Sequence, residues 1–517
     1  MRRNGYLAAA LAVAALIGAA PAVASPLQIS SMQDDHYLLN QTKESVVVST
    51  LKRMRALGVQ QIRVNLEWNT VAPDPNSYTE PAFNALNPFM YSAVRWAPYD
   101  RLAFLAPHFG MSVQFDITGP GPLWAMGHTP PNKRAASHWY PNATDFFEFV
   151  YAVGERYSGL QGAQTRVDSW SIWNEPNQPG WLAPQWSGGV AQSPRLYRSL
   201  AEDAYFGLIA SGHIDDTILF GETAPEGLNS GGDLSAMTPI PFLRDLYCVG
   251  SSEQQLTGAA AAALGCPDDA TPTQFVDTYP VLFDATGFAH HPYDFQHAPS
   301  YSLSNPNDAP LANIGRLTSF LDDTFDAYGI DRQLPIYFTE YGYSTNPPNP
   351  HQVVSPAQQA VYLNQSDYLA WQNPRIAEVS QYELYDAPPN YSYPKKSVLY
   401  WGDSFQTGLL FASGKAKPAY DAYQMEIWIP HVKYRSGSKT FIWGLARPAD
   451  KLSASVPVAI QWRRSTKHGS WRTIATAHTT AGTGYLTDSV GLPGRGYVRL
   501  LWKSGAAALS SRTVTIS

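Results

Sequence analysis

Two glutamates stand in surroundings that suit acid–base chemistry. Glu175 lies in the segment SWSIWNEPN (169–177), and Glu340 lies in the segment IYFTEYGY (336–343). Each ends an apolar run and opens a segment with Pro or Gly, so we expect each where a buried strand leaves a sheet. Two carboxyls with separated pKa values can protonate a leaving oxygen and present negative charge to an oxocarbenium-like centre. This pair therefore indicates cleavage of a glycosidic bond.

A surface position is the alternative for any single glutamate. The chain has 42 Asp and Glu residues, and most carboxylates of a protein are solvated charges. Two glutamates at the ends of two different strands fit this alternative less well, because the C-terminal ends of the strands in a parallel barrel open into one pocket. The assignment therefore depends on whether the surrounding elements form such a barrel.

Apolar runs alternate with amphipathic segments from about residue 27 to residue 425. This is the pattern of strand–helix units around a parallel sheet, and eight units are the number for a closed (β/α)₈ TIM barrel of the α/β class. We expect this domain to cover residues 25–426. The predicted strands are 27–32, 61–66, 112–117, 167–173, 217–220, 286–289, 334–338 and 377–382, and the predicted helices are 43–57, 99–109, 144–157, 194–209, 239–249, 314–328, 356–371 and 418–424.

The pattern changes after about residue 427. Short alternating segments at 440–444, 456–462, 471–475 and 496–501 predict a small antiparallel β-sandwich over residues 427–517. This part is more basic than the barrel; a solvated surface is the simpler explanation and a polyanion site the alternative. Its tryptophans could form a platform for sugars, although their alternation favours core packing: Trp443, Trp462, Trp471 and Trp502.

The N-terminus has the features of an export signal. Arg2 and Arg3 precede an apolar run over residues 7–20, and a small-x-small site follows at residues 22–24. We expect residues 1–24 to be a signal peptide cleaved near Ala24, and the protein to be secreted to the cell envelope or beyond. The net charge of −6 gives no reason to expect nucleic acid as a partner, and no later stretch is suited to an integral membrane segment.

Cys248 and Cys266 are the only cysteines of the chain. In an oxidising compartment we expect them to form a disulfide, with two buried free thiols as the alternative. No pair of histidines lies near them, so a structural zinc site is not expected.

The segments WNEP (173–176) and TEYG (339–342), on the fourth and seventh predicted strands, resemble the signature of clan A glycoside hydrolases. This "4/7" superfamily includes family 5 cellulase-like and family 39 xylosidase-like enzymes, and the resemblance covers about residues 27–425. It implies that Glu175 is the acid/base, that Glu340 is the nucleophile, and that the anomeric configuration is retained. The two carboxyls of such enzymes lie about 5–5.5 Å apart.

Other strand ends match the same superfamily. The resemblance implies that Arg63 pairs with the nucleophile and lowers the pKa of Glu340. It also matches the segment HPY (291–293) to a His-x-Tyr motif, in which Tyr293 could donate to Glu340 and His291 could contact substrate or a carboxylate. His290 is the competing candidate, since strand alternation lets only one of the two face the pocket.

Substrate contacts are expected from further residues near strand ends. Asn174 could hydrogen-bond the 2-hydroxyl of the sugar. Many members of the superfamily carry a tryptophan after strand eight, where this chain offers Glu383, and Trp401 could take that role from a loop. Asp35 follows strand one, where a metal site is the less favoured alternative because no second ligand cluster is evident. Four residues complete the candidates, the last two as secondary ones: Trp68, Trp124, Asp116 and Glu222.

The sequence therefore predicts a secreted retaining O-glycosyl hydrolase that acts on a plant or microbial glycan or glycoside. A transglycosylase would share the covalent intermediate and is not separated from a hydrolase by sequence. A non-catalytic carbohydrate-binding barrel is less favoured, because the motif residues Glu175, Glu340, Asn174 and Arg63 are all present. Carbohydrate is the expected partner, and no cofactor or metal is needed because two carboxyls suffice.

Overall fold

The computed structural model describes residue 25 and residues 27–160, 164–402, 405–448, 452–465, 469–505 and 507–517. The expected signal peptide, residues 1–24, lies outside the described residues. Within the described part of the chain, no helix is both long and apolar enough to cross a membrane.

Eight parallel strands close into a barrel, which confirms the predicted fold class. Strands β1 to β8 follow one another around the barrel, and β1 pairs with both β8 and β2, which closes the sheet. The strands are β1 Ile29–Gln33, β2 Gln61–Glu67, β3 Ser112–Thr118, β4 Ser169–Ile172, β5 Thr217–Thr223, β6 Gly287–His290, β7 Ile336–Tyr341 and β8 Ile376–Tyr382.

One main helix follows each strand and covers the outside of the barrel. Asn142 caps one of them by accepting from two backbone N–H groups, and Ser355 begins another with a capping box to Gln358. The helices are α1 Glu44–Ala56, α2 Ala93–His108, α3 Ala143–Arg156, α4 Ser193–Ala210, α5 Pro239–Leu246, α6 Ile314–Ala327, α7 Pro356–Gln372 and α8 Pro418–Gln424. Shorter helical segments cover Asp35–Leu38, Trp68–Val71, Pro88–Met90, Leu123–Ala125, Ala136–His138, Gly258–Ala263, Pro272–Thr278, Val281–Asp284, Leu311–Asn313 and Leu399–Gly402.

The limits of some elements differ from the sequence prediction in ways that affect the site. Strand β5 continues to Thr223 and strand β7 to Tyr341, so Glu222 and Glu340 lie within strands, not beyond them. Helix α2 begins before Pro98, although a proline inside a helix removes one backbone hydrogen bond. The buried face of α2 packs on β3 through Tyr99 and Phe115 and on α3 through Trp96 and Phe149, and this packing offsets the lost bond.

The C-terminal part forms two antiparallel sheets, which agrees with a β-sandwich. One sheet has the order β9-β10-β13, and the other has the order β12-β11-β14-β15, with β16 also paired to β14. Alternate residues of both sheets form its core, which includes Trp462 and Trp502. The strands are β9 Met425–Trp428, β10 Lys439–Ala446, β11 Pro457–Arg463, β12 Arg472–His478, β13 Tyr485–Gly491, β14 Gly496–Ser504, β15 Ala507–Ser510 and β16 Val514–Ile516.

A buried ionic cluster joins the sandwich to the barrel. Arg447 contacts Asp367 of α7 at 2.5 Å and Glu426 of β9 at 2.7 Å, and its side chain also reaches Ser30 of β1. The Tyr485 hydroxyl donates to Gln28 at 2.9 Å. These contacts are buried and specific, so they fix the sandwich to the N-terminal end of the barrel strands, away from the C-terminal ends.

Cys248 and Cys266 form the expected disulfide, 18 residues apart in the chain. Arg198 of α4 donates to Cys248 Sγ at 2.8 Å. We expect Cys248→Ser/Cys266→Ser to lower the free energy of unfolding by roughly 3 kcal/mol, because the bond restricts the unfolded chain. Urea unfolding would measure this, and wild type treated with dithiothreitol is the matched control. Equal midpoints for the oxidised protein and the double variant would contradict the prediction.

Candidate active site

Arg63 is the centre of a polar cluster at the C-terminal end of the barrel. The fully buried side chain lies on β2. Its Nη1 donates to Glu340 Oε1 at 2.8 Å, and its Nη2 donates to Glu222 Oε2 at 2.9 Å and to Asn174 Oδ1 at 2.9 Å. Asp116 Oδ2 lies 3.2 Å from the same Nη2. One planar guanidinium thus joins side chains that come from strands β3, β5 and β7 and from the loop after β4.

Glu340 lies on β7, close to the floor of the pocket. Its Oε2 accepts from the Tyr293 hydroxyl at 3.1 Å, and its Oε1 accepts from Arg63. Only 8% of its side chain is exposed, compared with 20% for Glu175. Glu340 is therefore held deep in the pocket with one oxygen on a cation, while Glu175 lies nearer the opening.

The loop after β4 turns Glu175 into the pocket by an unusual backbone path. Trp173 and Glu175 have φ angles of 62° and 37°, in the left-handed region that non-glycine residues rarely adopt. The Glu175 N–H donates to the Glu222 carbonyl at 3.0 Å, and the Asn174 N–H donates to Thr118 Oγ1 at 2.9 Å. Backbone strain of this kind is found at functional sites, where neighbouring contacts hold it in place.

His291 lies between the two glutamates. Its Nδ1 is 2.9 Å from Glu175 Oε1 and 3.8 Å from Glu340 Oε2, so these two oxygens are separated by at most the sum of the two distances, 6.7 Å. Burial alone would lower the pKa of His291, but the carboxylates of Glu340, Glu175 and Glu222 outweigh this effect and raise it to about 10. His291 is therefore a cation at neutral pH, and both of its ring nitrogens donate.

His290 faces away from this cluster. Its ring nitrogens contact Thr223 Oγ1 at 2.8 Å and the Ala309 carbonyl at 2.7 Å. Burial lowers the pKa of His290 to about 4, so the ring is neutral. Of the two histidines that the sequence left open, His291 is the one that the structure places against the glutamates.

Glu222, a secondary candidate in the sequence, accepts hydrogen bonds from four side chains of the cluster. It is fully buried on β5, with a φ angle of 46°. It accepts from Arg63, from His291 Nε2 at 2.6 Å, from Thr339 Oγ1 at 2.7 Å and from Ser171 Oγ. Burial would raise its pKa, but Arg63 and His291 lower it to about 2. Its position near a strand end was the only signal in the sequence, because its four donors come from four separate segments.

Asp35 joins the cluster through Gln33 at the end of β1. Gln33 Nε2 donates to Asp35 Oδ2 at 2.8 Å, and the amide oxygen of Gln33 accepts from Arg63. The Asn65 N–H lies 3.3 Å from Asp35 Oδ1. Burial raises the pKa of Asp35 to about 7. Asp35 is therefore partly protonated at neutral pH. Gln33 connects it to Arg63, the residue that contacts Glu340.

Glu383 lies beyond the end of β8, in an acidic part of the cluster. It is 5% exposed, and its Oε2 has no hydrogen-bond partner among the described residues. Burial, followed by the charges of Asp34 and Asp386, raises its pKa well above the usual value. Asp386 is paired with Lys417 Nζ at 2.6 Å, and no ion pair of Glu383 is found in the described part of the chain. This side of the site therefore favours protonated carboxyls.

Trp68 and Trp124 lie in the hydrophobic core, which corrects the expectation that they bind substrate. Trp68 is 0% exposed, stacked on Phe149 at 5.8 Å between ring centroids. Trp124 is edge-on to Trp68 at 6.0 Å, and its Nε1 donates to the Pro73 carbonyl at 3.0 Å. A short helix starts at Trp68 directly after β2 and turns the ring toward α3. The sequence showed tryptophans after strands, but not this turn.

Trp401 lies in the short helix Leu399–Gly402, which follows β8. With Phe405 and Phe295 it lines a pocket of about 120 Å³. Phe405 is edge-on to Tyr382, with the ring centroids 5.2 Å apart, and lies against Tyr293. These aromatic rings therefore extend from the glutamate cluster toward the loops after β6 and β8. No group of three or more metal-binding side chains is found within the described ranges.

Buried titrating groups should make the folded protein less stable as the pH rises from about 6.5 to 8.5. Burial raises the pKa of Asp34 and Asp35 to about 7 and that of Glu378 to about 8, whereas the unfolded chain releases these protons near pH 4. The folded state then holds more protons than the unfolded state, and its stability is lost as the pH passes the folded pKa values. His291, with its pKa at about 10, acts in the same direction.

The melting temperature across this pH range measures the effect. We expect a steady fall, with a shallower slope in Glu378→Gln, because that variant removes one of the titrating groups. His290 and His138, whose pKa values burial lowers to about 4, affect stability only below about pH 6.5 and do not disturb the comparison. A constant or rising melting temperature would contradict this assignment.

The sequence matches no protein-family model and no curated protein. Solved structures of low identity do match it. One is a family 39 glycoside hydrolase from Bacteroides cellulosilyticus WH2, with 15% identity, 91% of this chain and 80% of that chain covered, and a TM-score of 0.44. Another is a glucosidase from Croceicoccus marinus, with 10% identity, coverage of 91% and 95%, and a TM-score of 0.49.

A third match is a β-glucuronidase from Bacteroides uniformis, with 10% identity and a TM-score of 0.43. It covers 96% of this chain but 46% of the enzyme, so the chain spans less than half the length of that protein.

Proposed function

We propose that this chain is an exported retaining glycoside hydrolase in which Glu175 is the acid/base and Glu340 the nucleophile. The observation that carries the proposal is the His291 bridge, which limits the distance between two carboxylate oxygens to 6.7 Å. Retaining enzymes hold their carboxyls about 5–5.5 Å apart, while inverting enzymes leave about 6.5–9.5 Å for a water molecule. The upper limit of 6.7 Å overlaps only the lower end of the range for inverting enzymes. The distance therefore favours direct attack by Glu340 on the sugar.

In the first step, Glu340 attacks the anomeric carbon while Glu175 gives its proton to the departing glycosidic oxygen. The C–O bond to the leaving group breaks, and an ester between Glu340 and the sugar forms. His291 Nδ1 contacts Glu175 Oε1 at 2.9 Å, which leaves Oε2 as the oxygen that can meet the glycosidic oxygen. Arg63 and Tyr293 hold the two oxygens of Glu340 and so orient the attacking carboxylate.

In the second step, Glu175 removes a proton from water, and the water oxygen attacks the same carbon. The ester bond breaks, the sugar is released with its original configuration, and Glu340 returns as a carboxylate. Asn174 supports both transition states, because its carbonyl oxygen accepts from Arg63 and its NH₂ group is left to donate to the 2-hydroxyl.

The charge around the pocket bears on the substrate. Asp34, Asp35, Glu383 and Asp386 all lie near the ends of β1 and β8. Burial raises the pKa values of these four carboxyls, and protonated carboxyls offer hydrogen bonds to neutral hydroxyls. A glycon carboxylate would find no matching cation in this group, because Lys417 is already paired with Asp386. We therefore assign a neutral sugar to the position that is cleaved.

The test is hydrolysis of a panel of neutral aryl glycosides with an aryl glucuronide for comparison, followed by proton NMR of the first anomer released. We expect one neutral class to react and its configuration to be retained. Release of the opposite anomer would overturn the double displacement, and preference for the glucuronide would overturn the substrate assignment. Transfer to added alcohols exceeding hydrolysis would identify a transglycosylase.

A further inference from the structure

The β-sandwich differs sharply in charge from the rest of the chain. Residues 425–517 contain 13 Lys and Arg but only 3 Asp and Glu, which gives a formal charge of +10. The whole chain has a net charge of −6, so residues 1–424 have a net charge of −16. A basic unit attached to an acidic one is attracted to polyanions even though the whole chain is acidic. The catalytic pocket, which has many carboxylates, does not share this property.

Two arginines and two aromatic rings lie together on one face of the second sheet. The guanidinium carbons of Arg463 and Arg499 lie 4.4 Å and 4.3 Å from the ring centroid of Trp471. Arg463 is also 5.8 Å from the ring centroid of Tyr497, its partner across β11 and β14. Lys503 lies on the same side of β14 as Arg499, since the two are separated by an even number of residues. We call these five residues the basic face.

Among the residues that the structure describes, the cations of this face have no counter-charges. Within the described ranges, neither Arg463 nor Arg499 has a carboxylate within ion-pair distance, whereas Arg447 of the same domain pairs with Asp367 and Glu426. The Nε of Arg463 is buried without a hydrogen-bond partner, and Arg499 Nε reaches only the amide oxygen of Gln461, at 3.0 Å. Asp488 lies on β13 of the other sheet. Two neighbouring guanidiniums repel each other unless an anion lies between them.

We propose that the basic face binds a polysaccharide that carries carboxylate groups and so holds the enzyme on an acidic glycan. Guanidinium groups bind carboxylates in a bidentate manner, and the ring faces of Trp471 and Tyr497 pack on sugar rings. A lipid surface fits less well, because the exposed large apolar side chains described in the sandwich, Val432 and Leu452, lie outside this face. The polysaccharide bound here is an anchor and is distinct from the neutral sugar that is cleaved.

The experiment is affinity electrophoresis of the full chain in gels that contain polygalacturonate, with a neutral glucan and single-stranded DNA as comparison polymers. We expect polygalacturonate to retard the wild type and added salt to weaken the retardation. Arg463→Ala/Arg499→Ala should raise the dissociation constant about tenfold, because two partly buried ion pairs are lost. Lys433→Ala/Lys439→Ala removes the same charge from the β9–β10 region of the other sheet and should change it little.

Each contrary outcome overturns the proposal. Equal losses in the two double variants would show attraction by net charge alone. No retardation of the wild type would show that the face binds no polyuronate, and stronger retardation by DNA would identify nucleic acid as the ligand. Equal melting temperatures of all variants show that the fold is intact. Binding is measured without hydrolysis, so failure of the proposed catalytic function would leave this result unaffected, although the choice of a glycan as partner rests on that function.

Discussion

Glu340→Gln should lower kcat on the best aryl glycoside by on the order of 10⁴-fold or more, because removal of a nucleophile leaves only binding and transition-state contacts. Glutamine keeps the shape of Glu340, and its one amide oxygen can accept from either Tyr293 or Arg63 but not from both. It cannot form the ester with the sugar. The loss should therefore appear mainly in kcat, with a smaller change in the melting temperature, because Arg63 keeps its ion pair with Glu222.

Glu175→Ala tests the partner role in the same series. We expect kcat to fall by about 10²–10⁴-fold. Azide should restore part of the rate, because a small anion can enter the space left by the side chain and attack the ester without a general base. The product should be a glycosyl azide of retained configuration, detected by NMR. Azide should not restore Glu340→Gln in this way.

A buried glutamate outside the pocket provides the matched control for both variants. Glu378 of β8 lies within the barrel and accepts from Gln61 at 3.1 Å. Glu378→Gln should retain kcat within a few-fold. If Glu340→Gln kept activity comparable to this control, Glu340 would not be the nucleophile. If azide gave a product of inverted configuration with Glu175→Ala, the two roles would be reversed or the mechanism would be different.

Arg63→Met should be the most damaging substitution for stability, at a cost of about 3–5 kcal/mol. Methionine fills a similar volume but removes the charge that Glu222 and Glu340 both contact, and breaking a buried ion pair leaves uncompensated charge. Urea unfolding would measure the loss. Activity of the folded fraction should also fall by about 10²–10³-fold, because Arg63 holds the Glu340 carboxylate in place.

A double-mutant cycle distinguishes this explanation from a packing defect. In the Glu222→Gln background, Arg63→Met should cost less, since one of the carboxylates that needs the cation is already neutral. Arg63→Lys is the matched charge control; it should lie between wild type and Arg63→Met, because one ammonium cannot reach all the acceptors of the planar guanidinium. Strictly additive effects of Arg63→Met and Glu222→Gln would show that the two side chains are not coupled.

Much of the fold could be predicted because hydrophobic periodicity is a local property of the chain. Runs such as 112–117 and 356–371 mark buried strands and one-sided helices without reference to distant residues. Eight consecutive strand–helix pairs can bury their apolar faces in few arrangements, and a closed parallel barrel is one of them. Four strands of the sandwich were not predicted, namely β9, β13, β15 and β16. Three of them have four residues or fewer, and β-strand formation depends on partners more than on local sequence.

The candidate site was predictable to the extent that it depends on strand ends. Glu175, Glu340, Arg63, Asn174 and Tyr293 follow from motif and position, since the ends of parallel barrel strands open on one face. The side-chain contacts of Glu222 could not be read in this way. Its four donors come from separate parts of the chain, and the backbone at Glu222 itself departs from a regular strand.

The sequence by itself therefore determined the class of fold, the order of its elements and the pair of glutamates, because these depend on residue type and local spacing. The tertiary structure alone decided that His291 faces the glutamates while His290 does not, and that Trp68 packs in the core. It also decided which cations of the sandwich lie on one face. The physical reason is that these features depend on strand register and on local backbone angles. A shift of one residue in the register moves a side chain to the opposite face of its strand.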